Sequence, residues 1–267
     1  MGKRRTPLKT DWEKNVVYLY QFPRARCSPS ISPFALKVET WLRMADIEYV
    51  NIDCGLRTRS MKGQIPFVEL NGREIADSNF IISLLSTIFR AQVDKHLYEA
   101  ELAAARAFAS MVENSLFWVG AHMRLGHMKE IFGERGMQDS MPKAMKPVSP
   151  VIAWWVARKY QKKLLAQGTG VHTLSENIEA GKKDLRALSV FLDRKKYLTG
   201  MRPCTADATV FAHLVQLWYV PVHSTPIKHY IATECPNLVD YMERIKAEFW
   251  PDWEEATTTL SLHTRKK

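Results

Sequence analysis

The segment at 63–82, "GQIPFVELNGREIADSNFII", narrows the folding choices of this chain more than any other. Pro66 opens a short apolar run, and Asn71-Gly72 separates it from a second run. Asn-Gly between apolar runs is a strong signal for a two-residue hairpin. Asp77-Ser78 then stands directly ahead of "NFIISLLSTIF", a helical pattern that Ser78 is expected to cap. An Ile65–Pro66 bond at a strand start is a place for a cis peptide. Backbone there can face outward and pair with an extended peptide. The free amides and hydroxyl of a helix start at Asp77 and Ser78 suit a carboxylate.

Upstream, "VVYLYQF" at 16–22 is β-branched and aromatic and reads as a buried strand. In "SISPFALKVETWLRM" Ser32 is expected as an N-cap and Pro33 as the first helical residue. Phe34, Val38, Trp41, Leu42 and Ala45 share one helical face, with Lys37, Glu39 and Arg43 on the others. "EYVNID" at 48–53 reads as a second strand, parallel to the first because a helix intervenes. The order is β-α-β-β-β-α.

Beyond residue 92 strand signals fade. "DKHLYEAELAAARAFASMVENSLFWVGAHM" is alanine-rich and helical, and four further helical stretches follow. They are "VIAWWVARKYQKKLLAQ", "SENIEAGKKDLRALSVFLDR" with its cap somewhere in 175–178, "CTADATVFAHLVQLWYV" and "CPNLVDYMERIKAEFW". Residues 126–150, rich in Gly, Met and Pro, read as a loop or lid between helices. The expected division is a basic tail at 1–14, a small α/β domain at 15–91, an all-helical domain at 94–255 and a polar tail at 256–267.

The 38 Lys and Arg outnumber 28 Asp and Glu, for a net charge of +10. That balance favours acidic partners, but the charge is spread out and accompanied by no nucleic-acid motif, so solvated surface is the simpler account. Cys27, Cys54, Cys204 and Cys235 have no CxxC spacing, and no metal site is expected. No signal-peptide pattern and no apolar run of about 18 residues are present, so a cytoplasmic protein without a membrane span is expected. Met1-Gly2 with Thr6 fits only a loose myristoylation pattern.

Other chemistry-bearing residues have plain readings. Cys27 lies beside Arg24 and Arg26, which would favour thiolate, but an incidental thiol and solvated charges are the simpler account. His122, His127 and His213 lie in apolar helical stretches and read as packed histidines. Trp154 and Trp155, beside Arg158 and Lys159, could wall a cleft, with core packing the default.

Together "QIPF", the "DS" helix start and the helical second half resemble the glutathione transferase superfamily. The resemblance implies an α+β protein: an N-terminal thioredoxin-like domain followed by an all-helical C-terminal domain. It further implies that Pro66 is cis, that Ile65 pairs with the cysteinyl backbone of glutathione, and that Asp77 and Ser78 hold the γ-glutamyl end. Ser32 in "SPFA" lies where omega-like members carry the cysteine of "CPFA", and Tyr20 lies at the strand end where other classes carry a catalytic tyrosine. Within "PCTADATVF" (203–211), Asp207 fits a buried capping motif in which Cys204 replaces the usual Ser or Thr.

The segments "YQFPR", "SPFALKVETWLRMADIEY", "GQIPFVELNGREIADSNFII", "GKKDLRALS", "TADATVFAHL" and "ECPNLVDYMERI" are similar to the failed axon connections family, a metaxin-related branch of that fold. The resemblance implies an intracellular protein with a part in axon development, and does not by itself imply transferase turnover; the partners expected are glutathione as co-substrate, a small electrophile and a second copy of the chain in a homodimer. Fold does not fix activity. A non-catalytic scaffold, or a metaxin-like part of mitochondrial outer-membrane import, are the alternatives.

Overall fold

The computed structural model describes residues 6–55, 58–221 and 226–262. The loose myristoylation pattern at Met1-Gly2 lies outside them.

The first half is β1 (Val17–Gln21), α1 (Pro33–Met44), β2 (Tyr49–Asp53), β3 (Phe67–Leu70), β4 (Arg73–Ala76) and α2 (Ser78–Phe89). One sheet runs β2-β1-β3-β4. β1 and β2 are parallel, with Val17 opposite Tyr49, while β3 is antiparallel to both β1 and β4. The hairpin turns at Asn71 and Gly72, both at positive φ (49° and 73°), as a tight two-residue turn requires. The Ile65–Pro66 peptide is cis.

The second half is helical: α3 (Glu99–Met111), α4 (Phe117–Leu125), α5 (Met128–Ile131), α6 (Ser149–Gln167), α7 (Leu174–Leu192), α8 (Thr205–Trp218), α9 (Pro226–Glu234), α10 (Pro236–Phe249) and α11 (Trp253–Thr258). A π-helical turn at Val112–Leu116 joins α3 to α4, so the alanine-rich pattern is one long rod with a bulge. This is the thioredoxin-like plus all-helical architecture. The 126–150 stretch holds α5 and two short 3-10 turns rather than open loop.

α1 is the hinge of the packing. Val38, Trp41 and Leu42 pack in the sheet core together with Ala208 of α8, while Leu36 belongs to the helical core. The helix is thus wedged between the sheet and α8. That is why Lys37 and Glu39, expected on solvent faces, are buried. Trp41 Nε1 donates to Thr205 Oγ1 across the interface (3.0 Å), and Trp250 Nε1 donates to Thr40 Oγ1 (3.0 Å).

Several ends differ from expectation. Asp77, not Ser78, caps α2: its side chain accepts from the Asn79 and Phe80 amides, and Ser78 is the first helical residue. α7 is capped by Thr173, with Glu176 completing a capping box, ahead of the expected 175–178. The tails are partly folded. The Leu8 and Lys9 amides donate to Glu69 (2.7 and 3.0 Å). α11 runs into residues 256–258, and the carbonyls of Ser261 and Leu262 accept from Arg24 and Asn51.

Candidate functional site

Ser32 sits at the N-terminus of α1 with extended backbone, and Pro33 supplies the first helical φ. Its Oγ accepts from the Ala35 amide at 3.4 Å, a long bond. Among the described residues its hydroxyl hydrogen has no acceptor. Helices of the second half hold the loop ahead of Ser32. Gln216 Nε2 donates to Ser30 O (3.0 Å), and Arg124 Nη1 donates to Ile31 O (3.3 Å). The position of Ser32 therefore depends on contacts about 90 and 185 residues away in the chain, which no local pattern reveals.

Ser32 opens onto a cavity of about 670 Å³ between the two halves, a volume suited to a small organic ligand. Ile65 lines the same cavity, so two of the expected site residues meet there. The opposite wall comes from Phe117, Trp118 and Arg124 of α4 and from Trp154 and Trp155 of α6. The two tryptophans are 59% and 58% exposed, which overturns their reading as core.

Asp77 and Ser78 are not in the cavity wall. They stand at the start of α2, after a backbone kink at Asp77 (φ 85°). Asp77 Oδ1 takes both cap bonds (3.0 and 3.3 Å), which leaves Oδ2 free to face a cation. The Ser78 amide and hydroxyl remain donors at a positive helix end. A carboxylate cannot donate a hydrogen bond, so Asp77 suits an ammonium and Ser78 suits a carboxylate. Behind them lies a polar cluster that the sequence pattern hides. Lys37 Nζ donates to Glu113 Oε1 (2.6 Å) and Asn79 Oδ1 (2.7 Å), and Asn79 Nδ2 donates to Glu113 Oε2 (3.0 Å). Burial alone would raise the Glu113 carboxyl; the Lys37 ammonium and the Asn79 amide more than offset this and hold it below the usual range. Glu113 lies in the π-helical turn, where the wider spiral carries the side chain to its partners.

Tyr20 occupies different surroundings from those expected of a thiol activator. Its hydroxyl donates to Glu69 Oε2 (2.8 Å) and its ring stacks on Phe67 at 4.4 Å. Burial, then Glu69, pushes its pKa up, and it is absent from the cavity wall. Burial likewise raises the Cys27 thiol, outweighing the nearby Arg124, which agrees with its reading as an incidental thiol rather than a thiolate. Arg24, read as a solvated charge, is fully buried against Glu39, while Arg26 pairs with Asp139 near the surface (2.6 Å).

His213 is a packed histidine, as expected, yet it reaches the cavity wall. Its Nδ1 lies 2.8 Å from Thr209 O and so carries the proton there, leaving Nε2 as an unpartnered acceptor. Burial lowers its pKa to about 4, so the ring is neutral at pH 7. Asp207 accepts from the Leu198 amide (2.9 Å), the Cys204 amide (2.7 Å) and the Tyr241 hydroxyl (2.8 Å). The Cys204 position is therefore capped through its backbone despite the missing hydroxyl. Among the described residues no His, Cys, Asp and Glu cluster could hold a metal. Among the described residues no helix is long and apolar enough to cross a membrane.

Residues 33–130 match the family "Glutathione S-transferase N-terminal domain", and residues 181–245 match "Glutathione S-transferase, C-terminal domain". Failed axon connections of Drosophila melanogaster is 39% identical over 96% of this chain, and the match spans 63% of that protein's length. Isoprene-epoxide--glutathione S-transferase of a Rhodococcus species is 29% identical over 88% of this chain and 99% of its own. Metaxin-2 of Mus musculus is 22% identical over 91% of each chain. A solved glutathione transferase from Phanerochaete chrysosporium shares the fold, with a TM-score of 0.60 at 14% identity over 88% of this chain and 98% of that one. The chain belongs to the glutathione S-transferase superfamily, on the metaxin-related branch that includes failed axon connections.

Proposed function

We propose that the protein binds glutathione at the junction of its two halves and presents the thiol to a small electrophile in the neighbouring cavity. The carrying observation is that Ser32 and Ile65 line one cavity, with Ser32 at the N-terminus of α1 and its hydroxyl hydrogen given no acceptor among the described residues. In this reading the Ser78 amide and hydroxyl hold the γ-glutamyl carboxylate, and Asp77 Oδ2 holds the ammonium. Pro66 fixes the backbone turn that lets Ile65 pair with the cysteinyl backbone. The Ser32 hydroxyl donates to the sulfur once its proton has left to solvent, and the positive end of α1 favours the thiolate. Tyr20, bonded to Glu69, has no part in that step.

Similarity to the Rhodococcus enzyme over nearly its whole length supports a conjugating activity. A part in axon connections, as in the name of the Drosophila relative, belongs to the same proposal and rests on that similarity alone. Calorimetry with glutathione, followed by turnover with a panel of electrophiles, tests the reading. Binding with turnover supports it; no heat at millimolar glutathione leaves the interaction scaffold.

A further inference from the structure

The cavity's charge is one-sided. Arg59, Arg124, Lys159 and Lys163 stand in its wall, and among the described residues no aspartate or glutamate does. Arg124 donates to Ile31 O, Gln216 O and Gln216 Oε1, all neutral acceptors. Among the described residues Arg124, Lys159 and Lys163 form no ion pair. The deeply placed cations elsewhere are matched: Arg24 by Glu39, Lys37 by Glu113 and Arg43 by Asp252. A cation withdrawn from water without an anion is costly. Burial lowers the pKa of Arg124, the cost showing itself in the group concerned, whereas Lys159 and Lys163 stand exposed at the mouth.

The apolar part of the cavity is arranged to match. Val151, Trp155, Lys159 and Lys163 recur every four residues of α6 and all line the cavity, so they form one stripe that runs from apolar to cationic. Phe117 stands on the α4 side. Among the described residues the one buried polar side-chain atom there without a partner is His213 Nε2, an acceptor that adds no negative charge at neutral pH.

We propose that this cavity takes an apolar carboxylic acid, its carboxylate paired with Arg124 and its hydrocarbon or aromatic body lying against Phe117 and Trp155. The inference names the acid group and apolar body that the small electrophile would carry beside its reacting carbon, and rests on the two-substrate reading above for the role of the cavity. Lys159 and Lys163 draw the acid in and hold its charge near the mouth.

Dodecanoate and dodecan-1-ol are suitable probes, because they share a tail and differ in charge. Binding is followed by tryptophan fluorescence and calorimetry, without glutathione. Dodecanoate is expected to bind about tenfold more tightly than the alcohol, as a charge-assisted pair implies. Arg124→Met should bring the two within about twofold. Because Arg124 also braces the Ile31 loop, Lys159→Gln with Lys163→Gln on the exposed face of α6 gives a second reading. That pair should weaken dodecanoate several-fold and leave dodecan-1-ol unchanged. Equal affinity for acid and alcohol in the wild type, or a preference for the acid that survives both sets of variants, overturns the proposal. Glutathione calorimetry on the same proteins separates this outcome from a failure of the glutathione site, which none of these residues forms.

Discussion

Arg24 and Glu39 meet in a two-pronged ion pair with neither side chain exposed: Nη1 donates to Oε2 at 2.8 Å and Nη2 to Oε1 at 2.7 Å. Gln21, Asn51 and Tyr49 complete the carboxylate's hydrogen bonds. The pair ties the loop after β1 to α1 and so holds the approach to Ser32. Glu39→Gln leaves Arg24 buried without its partner and should cost about 3–5 kcal/mol; Arg24→Met leaves Glu39 only the longer contact to Arg43 (3.6 Å) and should also destabilise. The double substitution should cost less than the sum of the two. Urea unfolding of the four proteins measures this; additive losses would mean that the pair is not a unit.

Acid should unfold the protein in two separable stages. His213 has its pKa lowered to about 4 from an ordinary 6.5, by burial. The unfolded chain then takes up the proton first, so stability falls as pH drops from about 6.5 towards 4, by about 3 kcal/mol. Glu39, which burial alone would raise, is held at about 2 by Arg24 and its other donors, against an ordinary 4.5. Its contribution is lost lower, between about 4.5 and 2. His213→Gln should flatten the upper window and leave the lower one; an unchanged profile would place the sensitivity elsewhere.

Asp207 collects three donors at the head of α8, the most buried helix of the second half. Asp207→Ala orphans the Leu198 and Cys204 amides and leaves the Tyr241 hydroxyl only its longer bond to the residue-207 carbonyl (3.3 Å). Each unsatisfied buried group costs about 1–3 kcal/mol, so the variant should be strongly destabilised in a thermal melt. Cys204→Ser should lie close to the wild type, because the cap is made by the Cys204 backbone. A melt that places Cys204→Ser near Asp207→Ala would contradict that account.

The sequence made the local devices legible. Pro66, the Asn71-Gly72 turn and the Ser32-Pro33 helix start are each carried by a few neighbouring residues with fixed backbone demands, and each stands where it was expected. What could not be read was long-range. Helical periodicity assigned Lys37 and Glu39 to water, because one helix's pattern does not say that a second helix covers its polar side. Arg124 gave no signal, since its acceptors are carbonyls of a distant loop and of α8. Trp154 and Trp155 looked like core, since bulky apolar residues usually are. Ser78 lost the cap to Asp77 by one position, because both residue types cap equally well and the kink at Asp77 decides between them.

Ser32 should tune the sulfur rather than anchor the tripeptide. Ser32→Ala removes one donor to the thiolate and should raise the pKa of bound glutathione, while affinity stays within a few-fold. Ser32→Cys should gain disulfide exchange, since a helix start lowers a thiol's pKa. Thiolate absorbance of the bound tripeptide against pH is the readout. Identical titrations for wild type and Ser32→Ala would reduce Ser32 to a helix cap.

The central claim is that glutathione is held at the start of α2 beside the cavity that Ser32 and Ile65 line. Its most direct test is calorimetric titration of glutathione into the wild type and Ser78→Ala, with urea unfolding of both. The account predicts saturable binding to the wild type and a loss of about 1.5–3 kcal/mol of binding free energy in the variant, as for a hydrogen bond to a charged group, with folding stability nearly unchanged. Equal affinity in the two proteins, or no binding to the wild type at millimolar glutathione, would contradict it.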